Sequence, residues 1–354
     1  MPSSNKTIGL LYDAHMLQHK PHSSSPERPS RLQAIIDLLE KSTIHDHLEK
    51  LPVRQAELSE LERVHTSEYL ARAEREIKSG ARLLDDPDTT VSTHSWDAAL
   101  YAAGAAIGAV DYAITSPNKR SFAVVRPPGH HALPNQAMGF CILNNVAVAA
   151  AHAVAVHGLK RIMIVDIDVH HGNGTEEIFY DSENVLFVSL HQPAYPFTGA
   201  PSDVGKDSGT GHNINVLIPV GSTGKAYMDV LHEIIVPAAE KFKPEIILVS
   251  AGYDAHWRSG EYVQRIGMCL TSHDYFKIAK VLAEIADEHC EGRIAGVLEG
   301  GYDLDSLAHS VEQTLASWLH LPAPFDPVGS PPSRMVKKVD MKAIISEVKA
   351  IHNL

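Results

Sequence analysis

Residues 161–175 read RIMIVDIDVHHGNGT. The first half is a continuous run of large apolar and β-branched residues with no polar alternation, the pattern of a parallel strand buried on both faces. The second half crowds two aspartates, two histidines, an asparagine and two glycines into ten residues. A strand that ends in such a cluster predicts an open parallel sheet, because ligands in these folds sit outside the carboxyl ends of the strands. The same signature recurs on both sides of it. Ile8–Tyr12, Phe122–Val125, Val185–Leu190, Ile214–Ile218, Ile246–Ser250 and Ile294–Leu298 are further apolar runs. Helical patterns fall between them, at Pro29–Ser42, Ser67–Lys78, Ser95–Thr115, Asn144–Val156, Lys225–Lys241, Ser272–His289 and Asp305–Leu319. This alternation predicts one α/β domain with a central, mainly parallel sheet and helices on both faces. Pro21–Ser30 and Pro322–Ser333 read as loops, and the tail beyond Val336 as one further helix or a loosely packed end.

The 354-residue chain is 44% hydrophobic and 21% charged, the balance of an ordinary globular protein, with a net charge of −12. That charge argues against nucleic acid or an anionic membrane as a partner, since both need clustered Lys and Arg. Its three cysteines, Cys141, Cys269 and Cys290, form no metal or disulfide spacing. The polar start Met1–Thr7 has no apolar core of a signal peptide, and Val146–Val156 is too short to span a bilayer. A reducing cytoplasm is the compartment expected.

Chemistry-bearing residues follow the strand ends one after another: Arg126–His131, Asp166–His171, His191, Ser250–Asp254 and Glu299–Tyr302. Asp168 and His170, two apart on an extended segment, point the same way. With Asp254 as third ligand they make two carboxylates and an imidazole around an open position, a catalytic zinc site, although iron or manganese would accept the same donors. His130 and His131 can share one pocket if the Pro-Gly turn bends the backbone, and a neutral imidazole suits a general base near pH 7. Asp166 and Asn173 are candidate acceptors for their second N–H groups. An aspartate partner favours imidazolium and an asparagine does not, so the two rings should differ in charge. Tyr302, after Gly300-Gly301, can donate to an oxyanion. Phe140 either lines an apolar channel or belongs to the core. Tyr195 lies on a loop able to reach the same mouth.

In order along the chain, RPPGHHA, MGFC, DIDVHHGNGT, VSLH, SAGYDAH and LEGGYD resemble the histone deacetylase superfamily, which includes acetylpolyamine amidohydrolases. The early SPERPSR is similar to the family's HPE-x-P-x-R segment, with Ser25 in place of His. The resemblance runs from Ile8 to about Leu319. It implies a three-layer arginase/deacetylase fold, a single deacetylase domain with its motif-bearing core near 8–320 and a tail at 321–354. Carried over residue by residue, it implies zinc on Asp168, His170 and Asp254, and His131 as general base. His130 backed by Asp166 would be the electrostatic or acid partner, and Tyr302 would polarise the carbonyl. Phe140 would be a tunnel wall and Gly139 a contact for the acyl-lysine stem. It also implies potassium held by Asp166, Asp168, His170, Ser189 and Leu190, with a second potassium near Phe179 and Val185. Asn173 in place of Asp is similar to the class II and bacterial branches.

Two departures bear on specificity. The usual F/Y-P-G-T-G loop reads Tyr195-Pro196-Phe197-Thr198-Gly199, so either Tyr195 or Phe197 could be the second wall. After Asp254 the family's D-A-x-x-x-D-P-L-G becomes DAHWRSGE, which leaves Glu261, Arg265 or Ile266 for the tunnel rim. A rim carboxylate would attract a distant cationic amine. The expected substrate is therefore an acylated lysine side chain, with an acetylated polyamine as the alternative and a non-catalytic acyl-lysine reader as the weaker one.

Overall fold

Because each apolar run is hydrophobic throughout, it can be satisfied only between two helical layers, and the computed structural model places the runs there. It describes residues 7–21, 24–261 and 267–354. The strands are β1 (Ile8–Leu11), β2 (Leu48–Leu51), β3 (Leu83–Leu84), β4 (Asp86–Thr90), β5 (Arg120–Ala123), β6 (Ile162–Asp166), β7 (Val185–His191), β8 (Asn213–Leu217), β9 (Ile246–Ala251) and β10 (Ile294–Leu298). Eight of them form one sheet in the order β2-β1-β5-β10-β9-β6-β7-β8, and every pairing in it is parallel. β3 and β4 form a separate antiparallel hairpin.

This order positions the site. The chain runs from β5 directly to β6 and leaves a gap between them that β9 and β10 fill later. The carboxyl ends of β5, β10, β9 and β6 thus become neighbours, although their sequences lie up to 175 residues apart. Register fixes the match: Asp166 is level with Ser250 on one side and Ser189 on the other, and Leu298 with Ala251.

Helices Ser67–Lys78, Ser95–Thr115 and Ser272–His289 span the predicted residues, the first and last capped by threonine side chains. Ser95–Thr115 is long and apolar enough to cross a bilayer, but it packs on β1 and β5 with Ala98, Ala102, Ala106 and Val110 fully buried. The single helix expected over Lys225–Lys241 is Gly224–Val230 and Val236–Phe242 joined by a π turn at Leu231–Ile235. Pro237, which has no N–H to give an α ladder, lies one residue past that wider turn. The tail forms helix Lys342–His352 against β8. Short elements escape the periodicity, among them the β3–β4 hairpin, β2 and Asn173–Phe179. β2 is a four-residue edge strand, LEKL, with two exposed charged residues, and Asn173–Phe179 is a helix hidden inside a glycine-rich motif.

Candidate active site

Past the end of β6 the chain curls through successive aspartate turns. Asp166 Oδ1 accepts from Asp168 N at 3.1 Å, and Asp168 Oδ1 accepts from His170 N at 2.9 Å. This aims Asp168 and His170 toward Asp254, which follows β9 and is held by Val169 N donating to its Oδ1 at 2.8 Å. His170 Nδ1 lies 3.1 Å from Asp168 Oδ1 and 3.1 Å from Asp254 Oδ2. One ligand atom from each of the three buried residues falls within 4.8 Å of the others.

Two observations test whether these residues suit a dication. Asp254 Oδ2 is buried yet has no aligned hydrogen-bond donor, an arrangement that costs free energy unless a cation meets it. Gly300 borders the group, and a Cβ there would come within 2.5 Å of Asp168 Oδ2 and 2.6 Å of Asp254 Oδ2. Only glycine keeps that space free. Burial and the neighbouring Asp168 push the Asp254 carboxyl up to about 6, despite His170. Burial opposes charge on His170, but Asp254 and Asp168 outweigh it and raise the imidazole to about 10. Negative charge in excess of its partners and an oxygen, oxygen, nitrogen donor set fit a divalent metal such as zinc.

His130 and His131 follow β5, and their ring centroids lie 4.0 Å apart on the wall of one cavity. His130 Nδ1 is 2.9 Å from Asp166 Oδ2, while His131 Nδ1 is 2.8 Å from Asn173 Oδ1. Burial disfavours a charged His130, but Asp166 and Asp168 prevail and raise it to about 10. Burial, then the His130 and His170 charges, hold His131 well below the ordinary imidazole value. The basicity of the two adjacent histidines is thus shifted in opposite directions. Asn173 Oδ1 can only accept, so His131 keeps its proton on Nδ1 and turns the free pair of Nε2 away from Asn173.

Tyr302 stands across the cavity, its hydroxyl held in the neutral form by burial and by Asp254 and Asp168. Phe140 meets it edge-on with centroids 6.0 Å apart. Gly139 has φ +55°, and a Cβ there would press within 2.5 Å of the His131 ring. The cavity encloses about 370 Å³ and is also lined by Pro26, Asp88, His170 and Tyr195. A larger hollow of about 650 Å³ lies at the amino ends of β6, β7 and β8 and holds none of these groups.

Of the two candidate walls, Tyr195 faces the cavity, edge-on to His131 at 5.3 Å. Phe197 does not: it is 76% exposed. Its amide closes a tight turn onto Ala194 O at 2.7 Å with φ +66°, which swings the ring out to solvent. The backbone of Glu261 ends a short 3-10 turn, Ser259–Glu261. Its side chain, and Arg265 and Ile266, lie outside the described residues. Of the residues expected at potassium, Asp166 and Ser189 are register partners, with Leu190, Asp168 and His170 close along the chain. Phe179 ends a helix, its carbonyl accepting from Ser182 N at 3.0 Å, and Val185 opens β7.

Sequence reasoning assigned no role to four buried ionic residues that hold this edge together. Glu299 Oε2 accepts from Gly129 N at 2.6 Å and His130 N at 3.1 Å, which fixes the histidine loop. Arg31 donates to Gly301 O at 2.6 Å and Glu299 O at 2.5 Å, pinning the turn before Tyr302. Glu27 binds Arg126 through both oxygens, at 2.9 and 2.8 Å, and Arg31 at 3.2 Å. The available signal was charge in unfavourable places: Arg126 beside an apolar strand, Glu299 before two glycines, and the charged triplet within SPERPSR. Asp88, on β4, was missed because its hairpin is too short to read.

A parallel sheet with two aspartates, a histidine and a histidine pair at its carboxyl edge defines the arginase/deacetylase fold. The chain matches the histone deacetylase domain over residues 25–318 and belongs to that family. It is 38% identical to histone deacetylase 14, chloroplastic, of Arabidopsis thaliana over 98% of this chain and 85% of that one. It is 36% identical to a probable deacetylase of Archaeoglobus fulgidus, over 98% and 97% of the two. A histone deacetylase-like amidohydrolase of Pseudomonas aeruginosa is 38% identical over 79% and 72%. Among solved structures, the HDA15 HD domain superposes with a TM-score of 0.85 at 33% identity, covering 99% of this chain and 95% of that one.

Proposed function

We propose that this chain is a zinc-dependent deacylase that hydrolyses N-acyl amides of lysine-like amines to a carboxylate and a free amine. The observation that carries the reading is the convergence of Asp168, His170 and Asp254 beside a space that Gly300 keeps open, next to two histidines whose basicity is shifted in opposite directions. Zinc held by those three residues would supply Lewis acidity to the amide carbonyl and acidify the attacking water. His131 Nε2 takes the proton of that water, since its ring is the uncharged one. His130, kept cationic by Asp166, stabilises the negative charge that develops. The Tyr302 hydroxyl, neutral and facing the cavity, donates to the carbonyl oxygen as it becomes an oxyanion. His131 then returns its proton to the departing amine. Gly139, Phe140 and Tyr195 line the cavity where the alkyl stem of the substrate would lie. Backbone carbonyls around Asp166, Ser189 and Leu190 would hold potassium.

Asp88 gives the acetylated polyamine reading a specific footing, because it puts a carboxylate on the cavity wall where a second cationic amine could be met. A panel of acetyl-lysine peptides, longer acyl-lysines and acetylated polyamines, run on the wild type and Asp88→Asn, separates the two. Acyl-lysine turnover that Asp88→Asn leaves intact supports the main reading. Polyamine turnover that collapses in the variant supports the second, and no hydrolysis of any amide overturns both. Tyr302→Phe should lower turnover by about 10²–10³-fold. Unchanged turnover would remove the phenol from the reaction.

A further inference from the structure

Among the described residues, one other group has the donors of a metal site. It lies where helix Ser95–Thr115 packs against helix Asn145–His157, away from the cavity of the active site. Asp111 Oδ1 is 2.8 Å from His152 Nε2 and 2.7 Å from His157 Nε2. We propose that Asp111, His152 and His157 bind a second divalent transition-metal ion, zinc above all, which clips the two helices together.

The donor set is two imidazole nitrogens and one carboxylate oxygen, the composition of three-ligand zinc sites, and nickel or copper would be accepted too. Ligands about 2.0–2.1 Å from a tetrahedral centre stand about 3.3 Å from one another, so each carboxylate–imidazole pair need open by only about half an ångström. Access is graded in the way a surface metal site requires. The His152 side chain is 5% exposed, that of His157 17% and that of Asp111 43%, so the fourth position faces water.

A carboxylate stands near the far nitrogen of the His152 ring. His152 Nδ1 lies 3.7 Å from Glu60 Oε1, and Glu60 is itself fixed by Arg54 at 2.6 and 2.7 Å. A carboxylate behind a ligating imidazole orients the ring and increases its basicity. Arg63 NH1 competes, donating to the same Nδ1 at 3.3 Å. With that bond made, the His152 proton sits on Nε2 and points at Asp111. A metal on Nε2 requires that proton to move to Nδ1, so Arg63 must withdraw and Glu60, at 3.7 Å, must close to hydrogen-bond distance to accept it. The proton changes nitrogen, and this ring releases none.

The clip holds the carboxyl half of helix Asn145–His157 and leaves in place its amino end, which meets the active-site loop. At the amino end of helix Asn145–His157, Asn145 Nδ2 donates to Pro127 O at 3.0 Å and Asn144 Nδ2 to Ala132 O at 3.2 Å, both in the loop that carries His130 and His131.

The test is zinc per chain after equilibrium dialysis at micromolar free zinc, with deacylase turnover measured on the same samples. The wild type should hold two ions. His157→Asn and Asp111→Asn should each hold one and keep their turnover, and Asp254→Asn should hold one and lose it. Added zinc should raise the Tm of Asp254→Asn, and this rise should vanish in Asp254→Asn/His157→Asn. One ion in both the wild type and His157→Asn overturns the proposal and leaves a plain hydrogen-bonded bridge. If instead Asp254→Asn keeps every ion of the wild type while His157→Asn loses one, the second site stands and the catalytic-centre reading fails.

Discussion

Two clusters of buried charge lie at the same edge of the sheet, and they are built on opposite principles. Around Glu27, both carboxylate oxygens are taken up by Arg126, and Arg31 and His19 stand 3.2 Å away. Burial works against the Glu27 charge, but Arg126 and His19 outweigh it and hold the carboxyl well below its usual range. Around Asp254 the balance reverses. Burial and Asp168 raise its carboxyl to about 6, and one oxygen has no aligned donor. The first cluster is complete in itself and serves the fold. The second sets two carboxylates against one imidazole, and that surplus of acidic groups suits an external cation. Both carboxylates are fully buried, so burial alone does not tell the structural one from the functional one; the partners around each do.

The comparison can be broken at either end. Asp254→Asn removes one of two facing carboxylates. Turnover should fall by about 10³-fold or more, the several kcal/mol that Lewis-acid stabilisation supplies, while Tm holds or rises. A clear loss of Tm without loss of activity would make Asp254 a structural residue. Glu27→Gln should do the reverse and destabilise by about 3–5 kcal/mol in denaturant titration, because Arg126 and Arg31 lose their charge partner in the interior. A change under about 1 kcal/mol would mean the arginines find other acceptors. The pH dependence carries the same sign. Glu27 has a depressed folded-state pKa, so its contribution is present above the unfolded value near pH 4 and is lost as pH falls further toward the folded value. Glu27→Gln should therefore flatten the acid limb of the stability curve.

A smaller effect sharpens the contrast between the two histidines. Asn173→Asp gives His131 the kind of partner that His130 has. Its pKa should rise by about one unit or more. A base must be unprotonated to act, so the acid limb of kcat/KM should move to higher pH by the same amount. An unmoved limb would show that His131 is not the group titrating there.

How far the sequence could be read depended on how local each feature was. Asp168, His170 and the two acceptors Asp166 and Asn173 sit within one eight-residue window, and their geometry follows from aspartate turns and the first turn of a short helix. Asp254 and Tyr302 were legible as loaded strand ends. Nothing local, however, says that β9 and β10 insert between β5 and β6, and that insertion is what brings Asp254 and Tyr302 to His130. Glu299 and Arg31 went unassigned for the same reason: their partners are backbone groups more than 150 residues away. Phe197 misled because an aromatic residue in a tunnel motif looks like a wall, whereas backbone direction turned the ring outward. β2 was lost because an edge strand of four residues with two charges has no apolar period.

The central claim is that hydrolysis depends on one divalent ion held by Asp168, His170 and Asp254. Its most direct test is to strip metal from the His157→Asn chain, which removes the distal site, and titrate zinc back while following deacylation of an acetyl-lysine peptide. Turnover should vanish on stripping and return in proportion to added zinc, reaching a plateau at one equivalent. Full turnover in the stripped protein would contradict it.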